Sequence, residues 1–196
     1  AQLLPPLPRR GGEGRGEGAT LLAGMFGELK AKRGVEALRI VARAGWVPLV
    51  VGRIRDEVRA LVPPDAIVVP RTDDDAVLRA AYAACDVVLQ PSHHDGLPNV
   101  VLEAMACGRA IVASDVAAIP SAIVDGAHGL LVPPGDAVAL AGALGALVAD
   151  PALRVRLGAA ARARAEERFA LRSCTDAFCD LLVERYHLDR LEVTRG

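Results

Sequence analysis

The chain has 196 residues, 52% of them hydrophobic and only 3% aromatic, with a formal net charge of −1. That length suits one domain or slightly more, and buries a core without disulfide or metal staples. The charge speaks against a basic nucleic-acid footprint over the whole surface, and the lack of aromatics against the stacking platforms that hold single strands.

Residues 1–18 combine Pro5, Pro6 and Pro8 with a Gly/Arg/Glu run, a linker or disordered composition, as at the end of something longer. Strand and helix patterns then alternate over residues 19–188. Thr20 to Phe26 is an apolar run closed by Gly27, and Val35 to Ala44 has helical spacing up to Gly45. Trp46 to Val51 reads as a strand, and Arg53 to Leu61 as a short amphipathic helix ended by Pro63 and Pro64. A strand at Ala66–Val69 is followed by a helix over Asp74–Cys85, capped by Asp73 or Asp74, and a strand at Val87–Gln90. A helix from Asn99 to Cys107 is closed by Gly108, with a strand at Ala110–Ala113 after it. A short helix at Ile119–Val124, a strand at Leu130–Val132, and helices from Asp136 to about Val148, Ala152 to Arg168 and Ser173 to Tyr186 complete the domain, leaving a tail at 189–196. Short apolar runs alternating with helices predict an α/β fold, a Rossmann-like parallel sheet with helices on both faces.

Cys85, Cys107, Cys174 and Cys179 show no C-x2-C spacing and read as free thiols in a reducing compartment. No stretch approaches the roughly 18 apolar residues of a membrane span. With no secretory signal visible, the expected location is cytoplasmic, any membrane contact being peripheral and made through an attached domain.

Ligands in such folds bind beyond the carboxyl ends of the strands, where the least ordinary text lies, PSHHDGLPNVVLEAMACG at 91–108. The helix from Asn99 is apolar on nearly every side, which predicts burial, yet Glu103 sits in its middle. A buried carboxylate needs partners: ligand hydroxyls, or else backbone amides, Arg or Lys. Gly96 permits a tight turn and Pro98 suits a first helical turn, so the amides from Gly96 through Leu97 to Asn99 would face an anion or sugar hydroxyls, or form an ordinary capped loop. Asp95 can accept from a polyol, although Asp-Gly is also a plain turn. Upstream, Gly27 allows close backbone approach. Lys30, Lys32 and Arg33 put cations near a helix start, where the dipole gives them no support; a diphosphate would offset this, and a solvated basic turn is the alternative. Neither a Walker A nor a G-x-G-x-x-G pattern is present.

These residues resemble the C-terminal domain of retaining GT-B glycosyltransferases, the group called glycosyltransferase family 4 or group 1. Its pattern, Pro-Ser-x-x-Glu-Gly-Phe-Pro-Asn-Val-x-Leu-Glu-Ala-Met-Ala-x-Gly, is matched at Pro91-Ser92, Gly96, Pro98-Asn99-Val100, Leu102 to Ala106 and Gly108. Ala83-Ala84-Cys85-Asp86, Ser114-Asp115, Ile119-Pro120 and Gly129 to Asp136 continue the likeness, which covers about Ala19 to Tyr186. Ser121 stands where the pattern usually has Glu.

The resemblance implies one half of a GT-B fold that binds a nucleoside-diphosphate sugar for transfer to an acceptor hydroxyl. Glu103 falls at the second position of a Glu-x7-Glu pair, which holds the ribose hydroxyls. Asp95 falls at the first, which contacts the donor sugar, with about 1.5 Å less reach than Glu. Arg33 falls at a diphosphate-binding Lys; Glu28 replaces an Arg, with Lys30 supplying the missing cation. Arg71 falls near the nucleobase, and His94, beside Asp95, joins the donor-binding set. The resemblance implies no cofactor and no metal, and His93 and His94 have no third ligand at suitable spacing. It further implies an N-terminal acceptor-binding domain, absent here or supplied by another chain, and no nucleic-acid partner. The competing readings are a non-catalytic nucleotide-binding module, a donor-binding subunit, and a GT-B-fold sugar-nucleotide epimerase.

Overall fold

The computed structural model describes residues 21–29, 32–93 and 96–170 with Cys174 and Leu181, the side chains of Lys32 and Arg33 excepted. The expected linker at 1–18 and tail at 189–196 lie outside these residues, as does the expected helix over Ser173–Tyr186 apart from Cys174 and Leu181, both helical.

Six strands, β1 (Leu21–Phe26), β2 (Trp46–Val51), β3 (Ile67–Val69), β4 (Val87–Gln90), β5 (Ala110–Ser114) and β6 (Leu130–Val132), form one sheet in the order β3-β2-β1-β4-β5-β6. Every neighbouring pair is parallel. The helices are α1 (Lys32–Arg43), α2 (Asp56–Arg59), α3 (Asp75–Ala84), α4 (Asn99–Ala106), α5 (Ile119–Ala122), α6 (Ala137–Ala149) and α7 (Pro151–Arg168). The predicted class is thus the observed one.

Successive strand residues point to opposite faces, and the core divides accordingly. Val88, Ile111 and Ala113 pack with Tyr82, Val101, Met105 and Ala161 under α3, α4 and α7. Val87, Leu89 and Val112 pack with Val41, Leu140, Leu144 and Leu157 under α1, α6 and α7. Fully burying one such aliphatic side chain contributes about 1.5–3 kcal/mol, so both layers hold the sheet. Asp86 ties β4 to β1: its Oδ2 accepts from the Leu22 amide at 2.9 Å, and its own amide donates to Leu22 O at 2.8 Å. Asp74 is the cap of α3, accepting from the Ala76 and Val77 amides; Asp136 does the same for α6.

The expected helix over Arg53–Leu61 shrinks to the single turn of α2. The Leu29 amide donates to Arg53 O, and the Arg55 amide to Leu29 O, so these residues prolong the β1–β2 ladder as an isolated Leu29–Ile54 bridge. Residues engaged in that ladder cannot also close helical turns.

Candidate functional site

β1 and β4 are neighbours although their helices lead away in opposite directions, and ligands in such sheets lodge beyond the strand ends at that reversal. A cleft of about 510 Å³ opens on the β1–β3 side, walled by α3 and α4. Its floor is the turn after β1. Gly27 has φ +106°, and its amide donates to Val51 O at 2.8 Å. Gly52, at φ +145°, passes so close that a Cβ there would lie 1.9 Å from Gly27 O. Only glycine fits at position 52, and it brings the turns after β1 and β2 together beneath the cleft.

One wall carries Glu103. The Tyr82 hydroxyl donates to its Oε2 at 2.6 Å, a short charge-assisted bond. The Tyr82 ring stacks on Phe26, the last residue of β1, with centroids 3.8 Å apart and planes 8° from parallel. Burial, then the bond to Glu103, pushes the Tyr82 phenol well above its ordinary range, so the hydroxyl remains a donor. The opposite rim is cationic. Arg53, Arg55 and Arg71 line it with Glu28 and Thr72. Arg55 Nε donates to Glu28 Oε1 at 2.7 Å, whereas Arg71 makes a looser pair with Asp73 at 3.8 Å. The cleft therefore offers a carboxylate for hydroxyl groups on one side and guanidinium groups for an anion on the other.

The structure brings Gly27, Arg71 and Glu103 to this one cleft. Lys30, His94 and Asp95 lie outside the described residues, as does the side chain of Arg33, whose backbone forms part of the first turn of α1. Gly96, Leu97, Pro98 and Asn99 lead into α4, whose N-cap residue Pro98 makes no side-chain cap bond.

Two expectations need correction. Glu103 is exposed, because α4 is not apolar all round: Val101, Ala104 and Met105 face the core, while Asn99, Glu103 and Ala106 form an exposed stripe. The alanine on that stripe disguised it as core. Pro98 is the N-cap, extended at φ −66° and ψ 136°, rather than part of the first turn. The chain bends at Gly96 and Leu97 before entering α4, and a Cβ at Gly96 would meet nothing within 4 Å.

Sequence reasoning missed Phe26, Arg53, Arg55 and Tyr82. One signal was available: in a chain with three Phe, two Tyr and one Trp, an aromatic directly before the glycine turn invites a functional explanation. His93 lies on the other side of the sheet edge, in a hollow of about 390 Å³ with Glu36, Ser114 and Asp136. Among the described residues, no three His, Cys, Asp or Glu side chains are grouped as a metal would require, and Cys107 and Cys174 are in no disulfide. Among them, too, no single helix is long and apolar enough to cross a membrane.

The family model for glycosyl transferases group 1 matches residues 21–150. The chain is similar to the D-inositol 3-phosphate glycosyltransferase of Saccharomonospora viridis, 43% identical over 103 residues that cover 53% of this chain and 24% of the relative. The enzyme of the same name from Pseudarthrobacter chlorophenolicus is 34% identical over 163 residues, covering 83% of this chain and 34% of the relative. The chain thus spans about a quarter to a third of the length of these relatives. Among solved structures, Anabaena Alr3699/HepE in complex with UDP superposes with a TM-score of 0.73 at 22% identity, over 84% of this chain and 49% of that one. The C-terminal domain of a glycosyl transferase group 1 family protein from Francisella tularensis gives a TM-score of 0.66 at 24% identity, over 77% of this chain and 87% of that one. These last two likenesses bear on the fold, which is one half of a GT-B arrangement. By its sequence match over the whole sheet, the chain belongs to the glycosyl transferases group 1 family.

Proposed function

We propose that this chain is the donor domain of a retaining glycosyltransferase, binding a nucleoside-diphosphate sugar for transfer of the sugar to an acceptor hydroxyl. The observation that carries the reading is the exposed Glu103 carboxylate on the wall of the strand-end cleft, facing a rim of arginines. The UDP complex of the Anabaena protein, a relative in fold, supports a nucleotide as the ligand class.

In this reading Glu103 accepts from the ribose hydroxyls and Asp95 from the donor sugar. The acceptor oxygen bonds to the anomeric carbon as the bond from that carbon to the diphosphate oxygen breaks, the hydroxyl proton passing to the departing diphosphate, with retention of configuration. Charge then develops on the leaving diphosphate. Arg33, Lys30 and the amides at the start of α4 between Gly96 and Asn99 stabilise it, because fixed donors aimed at developing charge act most strongly in a water-poor cleft. Gly27 gives the diphosphate close access to backbone; Leu97, Pro98 and His94 shape the sugar end, and Arg71 the base end. No metal or cofactor is required. The reading places the protein in the cytoplasm, where its thiols stay free.

A second reading is a donor-binding subunit or nucleotide-binding module that depends on a separate acceptor-binding chain; this chain matches 49% of the Anabaena protein. Calorimetry of the full chain against UDP-, GDP- and ADP-sugars tests both. One of the three should bind, weakly and unaffected by EDTA, while the chain alone transfers little sugar. Binding of none overturns the donor-domain reading, and full-rate transfer by the chain alone overturns the dependence on an acceptor half.

A further inference from the structure

A carboxylate that serves a ligand must be held before the ligand arrives, because an exposed Glu side chain samples several rotamers. Freezing such a side chain costs up to about 2 kcal/mol. Glu103 stands in the exposed stripe of α4. Among the described residues, the single hydrogen-bond partner of its carboxylate is the Tyr82 hydroxyl, at 2.6 Å.

Tyr82 is suited to hold it. Its residue is 2% exposed, so the ring has one position. Phe26 stacks against it at 3.8 Å, and Ala81 and Ala84 beside it on α3 are buried. The phenol therefore extends from a fixed ring on α3 to the carboxylate on α4, across the cleft wall that both helices form. It occupies Oε2 and leaves Oε1 for the cleft. A hydroxyl is the right group for this. A Lys or Arg there would bind both oxygens and neutralise the charge, whereas a neutral donor fixes the carboxylate and preserves its accepting power.

We propose that Tyr82 is a positioning residue: its hydroxyl orients Glu103 so that the remaining carboxylate oxygen accepts from the 2′- and 3′-hydroxyls of the bound nucleotide. The proposal rests on the reading of Glu103 as a ribose acceptor and adds the residue that makes it competent. Phe26 belongs to the same device, since its stack keeps the Tyr82 ring from tilting away from α4.

The test is Tyr82→Phe in the full chain, which retains ring and stack and removes one oxygen. Affinity is measured for the best of UDP, GDP and ADP, and for its 2′,3′-dideoxy counterpart. Affinity for the ribonucleotide should fall by about three- to tenfold, the cost of ordering one side chain at binding. Affinity for the dideoxy compound should not change, and neither should the melting temperature. An equal loss for both compounds, or loss of folding, means that Tyr82 is structural and overturns the proposal. Tyr82→Phe without effect on a wild-type preference for the ribonucleotide overturns it too, while leaving Glu103 in its role. Wild-type protein that binds both compounds equally removes Glu103 itself. As a control on the pair, Glu103→Ala should abolish the preference; its survival would show that other groups read the ribose, and the proposal falls with it.

Discussion

The helices α4 and α6 look alike as text and differ as surfaces. Both are almost wholly apolar, NVVLEAMA and AVALAGALGALVA, and each buries a regular inner face: Val101, Ala104 and Met105 in one, Leu140, Leu144 and Leu147 in the other. Their outer faces diverge. On α6 the exposed residues are small or apolar, among them Val138, Ala141, Gly142 and Val148. On α4 they are Asn99, Glu103 and Ala106, and the carboxylate opens onto the strand-end cleft. Apolar composition thus says little about how deeply a helix is buried when its outer residues are alanine and glycine. What sets α4 apart is the charge on the outer stripe together with a phenol bonded to it.

If the inner faces are equivalent, truncating either should cost the same. Met105→Ala and Leu144→Ala, both fully buried, should each lower the unfolding free energy by about 2–5 kcal/mol, read from urea denaturation. A near-neutral Leu144→Ala would mean that α6 is not held through its core face, and the comparison would fail at its base.

The outer faces should respond in opposite ways. Glu103→Ala should weaken nucleotide binding by about tenfold or more, since a hydrogen bond to a charged group contributes about 1.5–3 kcal/mol. It should also lower stability by about 1–3 kcal/mol, because the buried Tyr82 hydroxyl loses its acceptor. The mirror change, Ala141→Glu on α6, should alter stability by no more than about 0.5 kcal/mol and leave binding untouched. A carboxylate at 141 that changes nucleotide affinity would place the ligand elsewhere than in the cleft.

Sequence patterns carried the fold further than the site. The bounds read for the strands at 46–51, 87–90 and 130–132 agree with the structure residue for residue, because doubly buried strands are short apolar runs closed by turn residues. Caps were legible for the same reason: Asp136 and the pair Asp73-Asp74, of which Asp74 is the cap, each precede an apolar helical run, and Gly108, at φ +62°, follows one. The site was only half legible. Glu103 was visible as a charge among apolar residues, yet its exposure was not, since Ala106 on the same stripe reads as core. Tyr82 precedes its partner by 21 positions, and Phe26 lies on a different element altogether. Each reads as an ordinary core aromatic, and only the β1–β4 reversal brings them to α4. Arg53 and Arg55 were hidden by the opposite error: spacing suggested a helix where a short extension of the sheet turns them to the cleft rim.

The rim gives a smaller test. Arg55 and Glu28 are paired at 2.7 Å with side chains 49% and 33% exposed. An ion pair that open to water contributes at most about 1 kcal/mol, so Glu28→Gln should barely move the melting temperature. Removing that negative charge from the cleft should instead raise nucleoside-diphosphate affinity by about two- to fivefold, with a steeper loss as salt is added. Weaker binding by Glu28→Gln would mean that the carboxylate, not the arginine, meets the ligand, and that the two walls of the cleft share one chemistry.

The smallest effect expected is a gain. Gly142 lies inside α6 on its outer face, and a Cβ there would meet nothing within 4 Å. Glycine inside a helix is destabilising by about 0.5–1 kcal/mol relative to alanine, because the unfolded chain has more conformations to lose. Gly142→Ala should therefore raise stability by that amount in denaturant unfolding, with no change in nucleotide affinity. A loss would mean that a neighbour packs against this face in solution and needs the space a methyl group would fill. The outer side of α6 would then be a contact surface in its own right, like the Glu103 stripe of α4, and the two helices would differ in what they bind rather than in whether they bind.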